Sequence, residues 1–209
     1  MTGNAEVPDH IVRALTIKGS APLDGLASAV LSNREKVQPI VDRLVKDGLV
    51  ERASTMFRLS SKGKLKGRQL VAADGKRWGM QNATAALDAF HSLDTRVKET
   101  ITAWQLRDIA GEKVLNDHSD DRYDSRVLGR LTSLHRDVSE WVTSLGATPE
   151  GIGLYLARLD RALQSARLDG RFVASPTVDS YHGVWFEFHE ALILLAGRNR
   201  SDEAAAGRA

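Results

Sequence analysis

Apolar residues recur at steps of three and four through most of this chain, and the places where the step fails mark its boundaries. A loose arm is expected up to about Val7. Pro8 and Asp9 then open a helix whose apolar face is Ile11, Val12, Leu15 and Ile17, and Gly19 ends it. Ser20 reads as the cap of a second short helix with Leu23, Leu26, Ala27 and Val30. Ser32-Asn33-Arg34-Glu35 has the capping-box order, in which the serine hydroxyl accepts from an amide of the first turn and the glutamate reaches back. Val37, Ile40, Val41 and Leu44 continue a third helix, and Asp47-Gly48 stops it because glycine takes the left-handed conformation without a Cβ clash. The period then shortens. Leu49-Val50-Glu51-Arg52 and Met56-Phe57-Arg58-Leu59 read as two strands around Ala53-Ser54-Thr55. Three helices closed by a short β-hairpin predict a winged helix over residues 8–63.

From Trp78 onward the pattern reads as helical alone. One segment carries Phe90, Leu93, Val97, Ile101 and Trp104; a second Val127, Leu131, Leu134, Val138, Trp141 and Leu145. A third carries Ile152, Leu156, Leu159, Leu163 and Ala166, and a fourth Val178, Tyr181, Trp185, Phe188, Leu192 and Leu195. Loops are expected over residues 108–121, 146–151 and 169–176. The fold class is therefore mainly α: the winged helix, an α-helical bundle over residues 64–198, and a flexible tail over 199–209. The last helix adds Phe186, Ile193 and Leu194 outside its stripe. So wide an apolar face must be enclosed on most sides, either by the helix after the wing, at about residues 64–73, or by a second subunit.

Composition narrows the class. The 209 residues contain no cysteine, which excludes disulfides, thiolate metal sites and cysteine nucleophiles. No secretory signal and no apolar run of membrane-spanning length is evident, so a cytoplasmic protein with no membrane partner is expected. Residues 1–80 hold 14 Lys and Arg against 8 Asp and Glu, and residues 81–209 hold 15 against 19. A basic first part joined to an acidic second part fits a polyanion partner for the first, although small domains often drift by as much.

The second helix's Leu26-Ala27, then Val37, Val41 and Leu44, the run Lys46-Asp47-Gly48-Leu49-Val50-Glu51-Arg52, and the exit Leu59-Ser60-Ser61-Lys62-Gly63 carry a resemblance. The N-terminal third resembles the winged helix-turn-helix of MarR-like bacterial transcription regulators. That resemblance implies double-stranded DNA as partner, transcription regulation as function and a homodimer as the assembly. The third helix would enter the major groove with Ser32, Asn33, Arg34, Lys36 and Gln38 near its start, where arginine can fork onto guanine and amides can pair with adenine. Arg43, Arg52, Arg58, Lys62 and Lys64 would meet phosphates. Pro39 stands inside this helix without the amide that would bond Glu35, so the helix is expected to bend there or to begin later. The alternative is a winged-helix protein–protein interaction module associated with a metabolic phosphotransfer enzyme that never touches DNA.

Three polar segments remain: residues 102–108, residues 116–120, and Asp179 through Glu190. They resemble segments of actinobacterial proteins that accompany phosphoenolpyruvate-utilising enzymes. His182 and His189 lie seven apart on one helical face, and Asp179, one turn before, can orient His182. Three readings stand side by side: core histidines bonded to a carboxylate, a metal site, or a small-molecule effector pocket formed by Trp104, Arg107, Tyr181, His182, Trp185 and His189. No dense metal motif, phosphate loop, dinucleotide fingerprint or catalytic triad spacing is present, so neither an enzyme nor a cofactor is expected.

Overall fold

The computed structural model describes residues 7–205. Among them the fold is mainly helical, with a winged-helix head and a helical bundle. The head runs α1 (Val7–Lys18), β1 (Ser20–Pro22), α2 (Leu23–Ala29), α3 (Arg34–Lys46), β2 (Val50–Ala53) and β3 (Met56–Leu59). Its three strands form one antiparallel sheet in the order β1-β3-β2, with Ala21 opposite Phe57 and Arg52 opposite Phe57 on the other side. The core beneath is Ile11, Val12, Leu15, Leu26, Val37, Val41, Leu44 and Phe57, all buried.

Several local expectations change. Ser20 does not cap α2; it opens β1, because Gly19 at φ 71° turns the chain back along β3, and Pro22 stands at the helix start. The cap of α3 is Asn33, not Ser32. The Asn33 side chain accepts from the Lys36 amide at 3.0 Å, which places Glu35 one position too early for a capping box. Helix α3 runs through Pro39 unbroken. Pro39 is exposed, so water can reach the Glu35 carbonyl that it leaves without an amide. Gly48, at φ 71°, lets the Leu49 amide reach back to the Leu44 carbonyl at 3.0 Å and ends the helix as expected.

The bundle comprises α4 (Ser61–Trp78), α5 (Met80–Gln105), α6 (Asp121–Ser144), α7 (Glu150–Ala166), the short α8 (Arg171–Ala174) and α9 (Tyr181–Leu195). It is not helical throughout. Strands β4 (Leu106–Ile109) and β5 (Glu112–Leu115) form a hairpin that starts two residues before the stretch expected as a loop and fills its first half. Ala110 and Gly111 take φ of 55° and 88°, the positive pair that a two-residue hairpin turn requires. In the segment expected as a flexible tail, Arg200–Ala205 forms α10, with Glu203 buried. No helix among the described residues is long and apolar enough to cross a membrane.

The expected boundary at residue 63 falls inside α4, which packs on α1 on one side and on α9 on the other. Helix α9 is enclosed within one chain by α1, α4, α5, α7, α8 and α10. Its wide apolar face therefore calls for no second subunit, and of the three residues outside the stripe Phe186 alone is largely exposed, with the Arg200 guanidinium 4.2 Å from its ring centre. Trp104 and Trp185 are buried and Trp141 is half-buried against the core.

Candidate functional site

Helix α3 packs on α1, α2 and β2, and its outer face is open. Arg34, Lys36, Arg43 and Lys46 project from that face with Glu35, Asp42 and Asp47 among them. Beside it stands the wing, carrying Arg52 with its guanidinium 5.0 Å from the Phe57 ring centre. Between helix and wing lies a groove of about 340 Å³ lined by Asp24, Arg34, Gln38, Arg52, Ser54 and Thr55.

Most of the expected contact residues have partners within the chain. Arg34 reaches Asp24 at 3.3 Å, Gln38 donates to Asp42 at 2.8 Å, Arg43 lies 3.8 Å from Asp47 and Arg58 donates to Glu51 at 3.2 Å. All of these pairs are solvent-exposed, where such contacts contribute ~0–1 kcal/mol and open readily to a competing phosphate. Asn33 is held as the cap, and Ser32 is half-buried in the turn before it. Lys62 donates to the Asp47 carbonyl at 3.0 Å, at the C-terminal end of α3. Lys64 lines a different groove, shared with Glu190 and Leu194 of α9.

The six residues grouped as an effector pocket fall into separate places. Trp104 and Arg107 sit at one end of the bundle. Trp104 packs on the His118 ring with centroids 4.5 Å apart, and Arg107 donates to Asp120 at 3.0 Å beside the Tyr123 ring. Tyr181 and Trp185 are core residues. Trp185 stacks on Phe90 at 4.4 Å and donates its indole N–H to Asp94 at 2.9 Å; Lys98 completes that carboxylate at 2.8 Å. His189 is buried against Phe90, and its Nε2 has no hydrogen-bond partner among the described residues. Burial drives its pKa down to about 4, against the opposing pull of Asp94. His182 is half-buried at the rim of another groove, and burial lowers its pKa too. Among the described residues, no three metal-ligating side chains gather as an ion site would need.

Asp179 does not orient His182. It precedes the Ser180 cap of α9, so helical spacing does not apply, and its carboxylate turns to Arg158 of α7, accepting at 2.6 and 3.0 Å. Arg158 is almost fully buried and also donates to Glu187 at 2.8 Å. The head supplies the remaining members: Lys18 of α1 pairs with Glu187, and the Ser28 hydroxyl of α2 donates to Asp179 at 2.5 Å. Burial alone would raise the Asp179 pKa. The hydrogen bond and charge of Arg158, the Ser28 hydroxyl and the charge of Lys18 outweigh it and hold the group below its usual range. This network joins head to bundle, and no local pattern announces it, because its members lie 21 to 169 positions apart. No family model, curated protein or solved structure matches the chain.

Proposed function

We propose that this chain is a DNA-binding transcription regulator whose α3 enters the major groove while the wing follows the neighbouring backbone. One observation carries the proposal: the outer face of α3 is left uncovered by the bundle and stands beside an arginine-bearing wing. In this reading Arg34, Lys36 and Gln38 face base edges, and Arg43, Arg52, Arg58 and Lys62 face phosphates. A single head reads one half-site, so a homodimer on a two-fold operator belongs to the proposal, with sedimentation at micromolar concentration as its check.

Fluorescence anisotropy with duplex DNA over a salt series tests the DNA contact. The expected result is binding that weakens steeply with salt, and a shallower salt slope for Arg43→Ala. A protein-docking module is the second reading, and one observation favours it: the cations on α3 and the wing alternate with Asp24, Asp42, Asp47 and Glu51, giving a mixed-sign face. Salt-independent or absent DNA binding would decide for that reading.

A further inference from the structure

Two of the polar segments left outside the DNA reading, residues 102–108 and 116–120, meet at the end of the bundle farthest along α5. Hairpin β4–β5 carries the chain away from α5 and returns it beside its start, where the Asn116 amide bonds the Gln105 carbonyl at 2.8 Å. There they border a cleft of about 720 Å³, closed on its other side by the turn from α7 to α8. That turn approaches through Gly170. A Cβ on Gly170 would stand 2.8 Å from the Trp104 ring, so only glycine lets Arg167 and Arg171 come up opposite His118.

The floor is built, not incidental. Asn116 is buried and donates to the Trp104 carbonyl at 2.9 Å and to Asp124 at 2.8 Å. Asp124 in turn lies 2.8 Å from His118 Nδ1. His118 holds a left-handed backbone, φ 59°, with its own amide donating to Asn116 Oδ1 at 3.3 Å. Such a conformation is uncommon for a side-chain-bearing residue and persists where surrounding contacts enforce it. With Nδ1 engaged by the carboxylate, Nε2 is the ring's remaining polar atom, and no group among the described residues bonds it. Across the cleft Arg171 is spent on Asp169, at 2.7 to 3.1 Å, whereas Arg167 has no ion-pair or hydrogen-bond partner among the described residues. Asp121 and Ser125, on the first turns of α6, line the same cleft.

The geometry points to a binding site for a small organic oxyanion, its phosphate or carboxylate held between Arg167 and His118 Nε2 and its hydroxyl groups met by Asp121 and Ser125. A guanidinium donates to an oxyanion, and an imidazolium whose Nδ1–H rests on a carboxylate donates to it through Nε2–H, so the bound form pairs the anion with the protonated ring. Asp124, engaged at one oxygen by Asn116 and at the other by His118, fixes the ring. The cleft lies away from α3 and the wing, so this inference stands or falls separately from the DNA reading.

Isothermal titration of the full chain with inorganic phosphate, succinate and ribose 5-phosphate tests it. We expect saturable one-to-one binding of at least one minimal anion, and ribose 5-phosphate to bind about tenfold more tightly than inorganic phosphate. Arg167→Gln, at an exposed and unpaired position, should weaken binding about tenfold with an unchanged melting temperature. His118→Phe, which keeps an aromatic ring on Trp104, should do the same, and Lys36→Ala on α3 should change nothing. Saturation by phosphate but not succinate would assign a phosphoryl ligand; saturation by both would assign the wider oxyanion class. The inference is overturned if no probe saturates, if binding survives Arg167→Gln, or if Lys36→Ala weakens it equally. Equal affinity for phosphate and ribose 5-phosphate would overturn the role of Asp121 and Ser125.

Discussion

At the scale of single residues, the chemistry of the bundle core turns on groups that burial holds neutral or leaves dependent on one partner. His189 is neutral in the folded protein because its ring is buried, with a pKa depressed to about 4. In the unfolded chain it takes up a proton near pH 6.5. Stability from this group is therefore complete above pH 6.5 and falls as pH drops from 6.5 towards 4, by on the order of 3 kcal/mol. His135 and His182, also lowered by burial, act in the same direction. Melting temperatures across that window should decline for the natural chain and decline less for His189→Leu. Asp94 is the carboxylate beneath the Trp185 indole, and Asp94→Ala should cost ~1–3 kcal/mol by leaving that N–H buried without an acceptor. Pro39 acts in the opposite sense. It is exposed in an unbroken helix, so Pro39→Ala should stabilise the fold by up to ~3 kcal/mol in denaturant titrations. A less stable alanine variant would mean that the helix needs the ring.

At the scale of elements, α4 is the piece on which the two halves depend. Gly63 and Gly67 face the head and Gly75 faces α9, and each allows a contact that a methyl group would block. A Cβ at Gly63 would stand 1.9 Å from the Leu49 carbonyl oxygen, one at Gly67 2.1 Å from Thr16 Oγ1, and one at Gly75 2.4 Å from the Leu195 carbonyl oxygen. Alanine normally stabilises a helix interior by ~1 kcal/mol relative to glycine. Gly75→Ala should reverse that sign and destabilise the protein by ~1–3 kcal/mol, because the obstacle is backbone of α9 and cannot rotate away. Thermal melts of Gly75→Ala against Gly129→Ala, where nothing lies within 4 Å of the added carbon, make the comparison direct.

At the scale of the whole molecule, the Lys18–Glu187–Arg158–Asp179–Ser28 network fixes the head on the bundle. Arg158→Ala leaves two carboxylates facing each other with Lys18 alone between them. The expected loss is ~3–5 kcal/mol, and adding Asp179→Asn should recover part of it, since the harm lies in the uncompensated charge. Asp179 is held below the ordinary carboxylate range, so its share is present above the unfolded value near pH 3.8 and disappears as pH falls through the lower folded value. In the natural chain acid unfolding should thus have two parts: a histidine part between pH 6.5 and 4, and a steeper carboxylate part below. Arg158→Ala should reduce the second by removing the share of Asp179.

How much of this was legible in the sequence depends on the range of the forces involved. Helices α1, α3, α6, α7 and α9, the hairpin of the wing and the stop at Gly48 follow from spacing, capping and glycine conformation, all settled within a few neighbouring residues. Strand β1 escaped that reading because three residues become a strand only when β3 lies beside them. Hairpin β4–β5 escaped because Ala110 carries no turn signature until its positive φ is seen beside Gly111. The polar residues stand in segments the sequence marks, but the fold groups them by packing and not by segment. Trp104 went to the cleft with His118, Trp185 to the core with Asp94, and Asp179 to Arg158. The sequence by itself determined which stretches coil and which faces are apolar, since periodicity is a property of the chain. Only the tertiary structure decided which charges meet, because a buried cation selects its carboxylates by distance in space, and residues 151 positions apart, such as Ser28 and Asp179, become neighbours only after the helices have packed.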